Sequence, residues 1–270
     1  MRIQHNITAL NAHRNLTNNN SSVSKNLEKL SSGYRINRAG DDAAGLAISE
    51  KMRAQITGLE AAQKNAEDGV SLVQTAEGAL TEVHSMLNRM VSLATQSANG
   101  TYSTANRSEM QKEIDALNAE IDRIGATANF NGTTLFAAGS VNLHVGESSA
   151  DTNQISVTLK AMSSADLGID QLDLTTANGA KAAIDTINDA IDTVSSMRSD
   201  FGALQNRLEH TINNLGVQNE NITASESRIR DVDMAKEMMA YTKNNILVQA
   251  SQAMLAQANQ VPQGVLQLLQ

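Results

Sequence analysis

The sequence predicts a mainly α protein: a long antiparallel coiled-coil rod with a small β-hairpin, its terminal helices paired as a separate layer. Three observations predict this. Two long segments hold a 3.5-residue apolar period, two short runs between them switch to a period of two, and the large side chains of a thick core are scarce. Of 270 residues 37 are Ala, aromatics make up 2%, and Trp and Cys are absent. Aromatics supply much of the buried area of an ordinary core, so this composition suits narrow seams between long helices.

The elements follow in order. Residues 3–31 read as a helix: Ile3, Ile7 and Leu10 begin an apolar stripe, and Leu16, Val23, Leu27 and Leu30 continue it in a shifted phase. Asn18, Asn19 and Asn20 weaken that helix, because Asn competes for backbone hydrogen bonds. Residues 31–40 carry two Gly and no period, which makes them a connector, and Asp41 or Asp42 offers the next N-cap. From Met52, steps of four and three pass through Ile56, Leu59, Ala66, Val70, Val73, Leu80, Leu87, Val91 and Ala94, with Gln63, Glu77 and His84 as the polar exceptions. Six heptads of this kind are a coiled-coil seam. A helix over about 43–98 is roughly 80 Å long, and Asn99-Gly100 stops it.

A shorter helix spans about 104–124, with Met110, Ile114, Leu117, Ile121 and Ile124 on one side and Gly125 as its end. Asn131-Gly132 signals a turn. Val141, Leu143 and Val145 alternate with polar residues, as do Ile155, Val157 and Leu159, so a β-hairpin is expected within about 133–160. Residues 160–178 are turn-rich and read as an exposed link. A second seam then steps through Ala180, Ile184, Ile187, Ile191, Val194, Phe201, Leu208, Ile212, Leu215 and onward to Ile229, making the antiparallel partner of the first. Residues 229–235 bridge to a last helix, about 236–268, whose final turns Pro262 should kink or loosen. The domains expected are therefore 1–42 with 231–270, and 43–230.

Several function classes drop out. No stretch approaches the roughly 20 apolar residues of a membrane span, so no membrane insertion is expected. The N-terminus lacks the apolar core of a secretory signal. Without Cys there is no disulfide framework, thiol catalysis or Cys-ligated zinc. His5, His13, His84, His144 and His210 have no metal-ligand spacing, and no phosphate-loop or nucleophile-elbow motif occurs. No catalytic residue, metal or cofactor is expected. Residues 1–40 carry six Lys and Arg against Glu28 alone, but those charges are dispersed and lack an aromatic platform, which argues against nucleic acid. Arg35 and Arg38 lie beside Asp41 and Asp42, as helix caps or as an ionic cluster between copies. Residues 238–270 contain a single charged side chain, Lys243. Such a face needs a partner, most simply other copies of the same chain.

Four ordered blocks carry a resemblance. LSSGYRINRAGDDAAGLAISEKMRAQITGLEAAQKNAEDGVSLVQTAEGALTEVHSMLNRM (30–90) resembles the N-terminal region of bacterial flagellin. SMRSDFGALQNRLEHTINNL (196–215), SRIRDVDMAKEM (227–238) and MLAQANQVPQGVLQLL (254–269) resemble its C-terminal region. The resemblance covers about 1–136 and 180–270. It implies a structural, non-enzymatic subunit of the flagellar filament, with terminal helices forming an inner tube and the helical rod an outer one. Ile3, Ile7, Leu10, Leu27, Leu255, Val261, Leu266, Leu268 and Leu269 are then inner-tube assembly candidates. Also implied are export through the flagellar type III apparatus and four kinds of partner besides the chain itself: an export chaperone, a cap protein, a hook-associated junction protein and, in a host, a Toll-like receptor. Arg89, Leu93 and Glu113 match the family's receptor patch. Arg89 and Leu93 form an i,i+4 pair off the seam through Leu87, Val91 and Ala94. Many members insert a variable domain before the second long helix, and residues 160–178 leave no room for one. Ser148, Ser149, Thr152, Ser163 and Ser164 fall in the exposed middle, where some relatives bear O-linked glycans. A hook–filament junction protein and a cytosolic coiled-coil scaffold are the competing readings.

Overall fold

The computed structural model describes residues 6–268, with side chains through Gln260. It contains five helices, α1 (Ile7–Ser32), α2 (Ala43–Ala98), α3 (Thr104–Thr127), α4 (Ala177–Arg230) and α5 (Met234–Leu268). Two antiparallel strand pairs lie between α3 and α4: β1 (Asn129–Phe130) with β2 (Thr133–Thr134), and β3 (Gly139–His144) with β4 (Gln154–Leu159). Local chemistry sets the helix ends. The side chains of Asn6, Asp42, Ser103, Thr176 and Asp233 each accept the amide three residues on, the N-cap geometry that satisfies an orphan donor of the first turn. Gly33, at φ 77°, closes α1 in the left-handed conformation favoured by Gly.

The chain divides into two compact units. One holds the chain up to Ile56 and from Glu220 onward, the other Thr57–Asn219. The division falls inside α2 and α4.

In the unit Thr57–Asn219, α2 and α4 run antiparallel. Ala66 shares a small core with Leu208, and Glu77 pairs with Arg198 at 3.5 Å. The seam on α2 is Leu59, Ala62, Ala66, Gly69, Val73, Ala76, Leu80, Val83, Leu87, Met90, Ala94 and Ser97, all buried and spaced alternately by three and four. On α4 it is Ala180, Ala183, Ile187, Ala190, Val194, Met197 and Phe201, continuing to Leu208 and Leu215. The sequence reading is right for one row of each helix and one residue off for the other. Ile56, Val70 and Val91, and Ile184, Ile191 and Ile212, are half-buried flanks, as are Gln63, Glu77 and His84. The offset row runs Ala62, Gly69, Ala76, Val83, Met90 and Ser97 on α2 and Ala183, Ala190 and Met197 on α4, mixing small residues with large ones.

Three further expectations change. Leu93 is only 3% exposed and belongs to the core. It ends a third row on α2, Leu72, Ala79, Met86 and Leu93, at seven-residue intervals, beside the Ile114 and Ile121 that α3 brings to the same core. Two-helix seam reasoning does not anticipate a third apolar row. Gly125 does not end α3, which continues to Thr127. A Cβ at Gly125 would overlap the carbonyl oxygen of Met162, so this Gly serves a close backbone approach. Residues 161–176 are not an exposed link: Met162, Ser164, Leu167, Ile169 and Leu174 are buried. Side chains of the helices grip this strap by its main chain. Asn118 donates to the Ile169 carbonyl, Gln111 donates to the Leu172 carbonyl and accepts from the Leu174 amide, and Ser97 donates to the Leu174 carbonyl. Asp122 accepts from both the amide and the hydroxyl of Ser164, so Ser164 is not an exposed hydroxyl.

The expected hairpin is present, with Val141 opposite Val157 and Leu143 opposite Ile155. Ile155, Val157 and Leu159 are buried, and Leu143 packs where Gly69 lacks a Cβ. Asn131 and Gly132, both at positive φ, turn β1 into β2.

Candidate assembly surface

The unit formed by the two ends of the chain holds α1 and α5, packed antiparallel. Its contacts carry amides into the interface. Asn6 donates to the Ala258 carbonyl (2.8 Å), and Asn19 donates to Ser251 Oγ (3.0 Å) and the Leu247 carbonyl. Asn26 is buried; with its amide oriented to satisfy its neighbours, it donates to Glu237 Oε1 (3.1 Å) and accepts from Asn244 Nδ2 (3.0 Å). The least exposed row of α1 also includes Ala9, Ala12, Leu16, Val23 and Leu30. Meanwhile Ile7, Leu10 and Leu27 are 58, 65 and 55% exposed, and Met238, Met239, Ile246, Leu247 and Met254 stand out from α5. Amides bond within the pair beside the half-buried Leu16, Val23, Leu30 and Val248, and other large apolar side chains face outward. Full burial of one such side chain gains about 1.5–3 kcal/mol, so this surface is complete only when something covers it.

Of the other inner-tube candidates, Leu255 is half-buried. Val261, Leu266 and Leu268 lie on the helical backbone of α5, which runs through Pro262; their side chains, with Ile3 and Leu269 altogether, lie outside the described residues.

The connectors 33–36 and 229–232 are zipped together. Tyr34 and Asp231 form an antiparallel bridge, Arg35 N donates to the Arg230 carbonyl (2.7 Å), and Val232 N donates to the Gly33 carbonyl (3.0 Å). Arg230 is the centre of this clasp. It donates to Glu50 Oε1 at 2.7 Å, reaches Ser49 Oγ at 3.4 Å, and lies 4.9 Å from the centroid of the Tyr34 ring. The ionic candidates find partners within the chain. Arg35 donates to the Ile229 carbonyl, and Arg38 pairs with Glu28 at 2.8 Å. Asp41 accepts the amides of Asn37 and Arg38, which hold its carboxyl below the ordinary value of 3.8. Asp42 caps α2. Sequence reasoning missed Arg230, Glu50 and Tyr34, whose meeting is tertiary. It also treated Asn19 as a helix weakener, although the seven-residue interval from Asn19 to Asn26 was a readable sign of a shared face.

In the other unit, Arg89 Nε donates to Glu113 Oε1 at 2.8 Å, tying α2 to α3. The bond to Glu113 raises the Arg89 pKa above its ordinary value. Both side chains remain about half exposed, whereas Leu93 lies buried in the core. No helix among the described residues is long and apolar enough to cross a membrane.

These features define a class: a structural subunit whose two ends meet and present an apolar surface for assembly. Comparison with known proteins gives the family. The model of the bacterial flagellin N-terminal helical region matches residues 3–140, and that of the C-terminal helical region matches 184–269. The chain is 53% identical to a flagellin of Bacillus subtilis strain 168 and 55% identical to one of Halalkalibacterium halodurans, each comparison covering 100% of both chains. It is similar to the crystal structure of Bacillus cereus flagellin at TM-score 0.50 and 31% identity, over 60% of this chain and 94% of that one. The chain belongs to the bacterial flagellin family.

Proposed function

We propose that this chain is the subunit of a flagellar filament, a self-assembling structural protein whose α1–α5 pair forms the inner layer of the tube. The carrying observation is the uncovered apolar surface of that pair, with Asn6, Asn19 and Asn26 bonded inside and Ile7, Leu10, Ile246 and Met254 exposed. Copies of the same chain supply the missing apolar partner, and a closed helical array buries every copy equivalently. Residues 1–42 with 231–270 act as the inner layer and 43–230 as the outer one. Seeding purified chain with filament fragments tests this: electron microscopy should show long filaments, and persistent failure to elongate would overturn it in favour of a junction protein. The chain reaches the cell exterior by flagellar export with a chaperone, and assembles between a junction protein and a cap. Its confinement to the cytoplasm of motile cells would count against export.

A second reading concerns recognition by a host Toll-like receptor. The exposed Arg89–Glu113 pair supports it, as a charged ridge bridging α2 and α3. Leu93 supports that ridge from beneath and makes no direct contact.

A further inference from the structure

We infer that the groove between the β3–β4 hairpin and α4 is a docking site for a carboxylate-bearing segment of a second copy of this chain, with Arg207 as its anchor. The inference rests on the filament reading and names a contact within it.

The groove measures about 650 Å³. Its walls include Asn153 and Ile155 on the hairpin side and Asn206, Arg207, His210 and Asn214 on α4, with no carboxylate among the lining residues. The unit around it is strongly acidic: Thr57–Asn219 carries 20 Asp and Glu against nine Lys and Arg. Copies of such a unit repel one another at close range unless acid on one meets base on the next. Most of the available base is already engaged. Arg89, Lys112, Arg123, Lys160 and Arg198 are in ion pairs of their own chain, and Arg107 donates to the Asn99 carbonyl. Lys64 and Lys181 stand on exposed helix positions. Among the described residues, Arg207 is the guanidinium of this unit with neither a carboxylate nor a carbonyl partner, and it sits in a concave site lined by carboxamides. A planar guanidinium suits bidentate capture of a carboxylate, and neighbouring amides can donate to its remaining lone pairs. The abundance of acid on the same unit identifies the occupant as another copy.

Two measurements on the full chain test this. In seeded assembly, Arg207→Gln should raise the critical concentration about five-fold. Arg207→Glu should raise it about ten-fold or more. Thermal melts of the monomers should match wild type, because Arg207 makes no ion pair among the described residues. In filaments mixed from isotopically light and heavy Arg207→Lys chains, carbodiimide should join position 207 of one copy to an Asp or Glu of another. Assembly of Arg207→Glu at the wild-type critical concentration, or cross-links confined to single copies, would overturn the docking site. Failure of the wild-type chain to assemble would instead overturn the filament reading.

Discussion

Arg89 shows how a surface ion pair can position a side chain while adding little to stability. Its bond to Glu113 joins two helices at the surface, where solvent screens the charge pair and leaves it little effect on folding. The value of the pair is therefore positional: it fixes a charged ridge over the buried Leu93. Arg89→Asp places two carboxylates together, so the expected outcome is a monomer that melts near wild type but packs less well into filaments and activates the receptor less in a cell reporter assay. Unchanged receptor signalling would remove Arg89 from the recognition surface. The resemblance singled out Arg89, Leu93 and Glu113, but which of them is open to solvent was not legible in the sequence. An i,i+4 spacing places Arg89 and Leu93 on adjoining positions, and only the presence of α3 decides that one is covered and the other is open.

At the scale of elements, the long helices were readable because their period persists, and persistence averages out single errors. The lateral position of the seam was less readable. Large apolar residues favour Val70 and Ile191 as seam positions, whereas the buried positions are Gly69 and Ala190, and at Gly69 the missing Cβ leaves room for Leu143 of the hairpin. The strap over 161–176 was misread for a related reason: turn residues look exposed, and the sequence does not reveal that Gln111, Asn118 and Asp122 satisfy their backbone groups. Gly125 offers a direct check. Gly125→Ala sets a methyl group against the Met162 carbonyl, a rigid neighbour. Overpacking of this kind costs about 1–3 kcal/mol, so chemical denaturation of the monomer should shift by that amount. Gly78→Ala, with nothing within 4 Å of the added carbon, is the control and should stabilise the helix slightly. Equal midpoints for the two variants would refute the close-approach argument.

For the whole molecule, the two units differ in what completes them. Thr57–Asn219 contains its own apolar core of α2, α3, α4, hairpin and strap. The terminal unit mixes amides with apolar residues inside and leaves many other large apolar side chains outside. Deleting about 1–30 or 240–270 should therefore abolish polymerisation while leaving the melting transition of the remaining helical core in place. Normal filaments from either truncation would refute the assignment of assembly to α1 and α5. The paucity of aromatics fits this division. One unit packs along narrow seams, and the other leaves much of its packing to neighbours.

The strap carries a consequence for variation. Gln111, Asn118, Asp122 and Ser97 hold it mostly through carbonyls and amides, groups that every polypeptide possesses, and the strap supplies the Ser164 hydroxyl and a few apolar side chains in return. The recognition elements reside in the helices, while the segment they recognise is nearly generic. A socket of that kind accepts substitution of its occupant with little regard to spelling. This is the position, before the second long helix, where the resemblance to flagellins places an inserted variable domain in other members. Diversity can accumulate there without renegotiating the rest of the fold, because the terms of attachment are written on the other side.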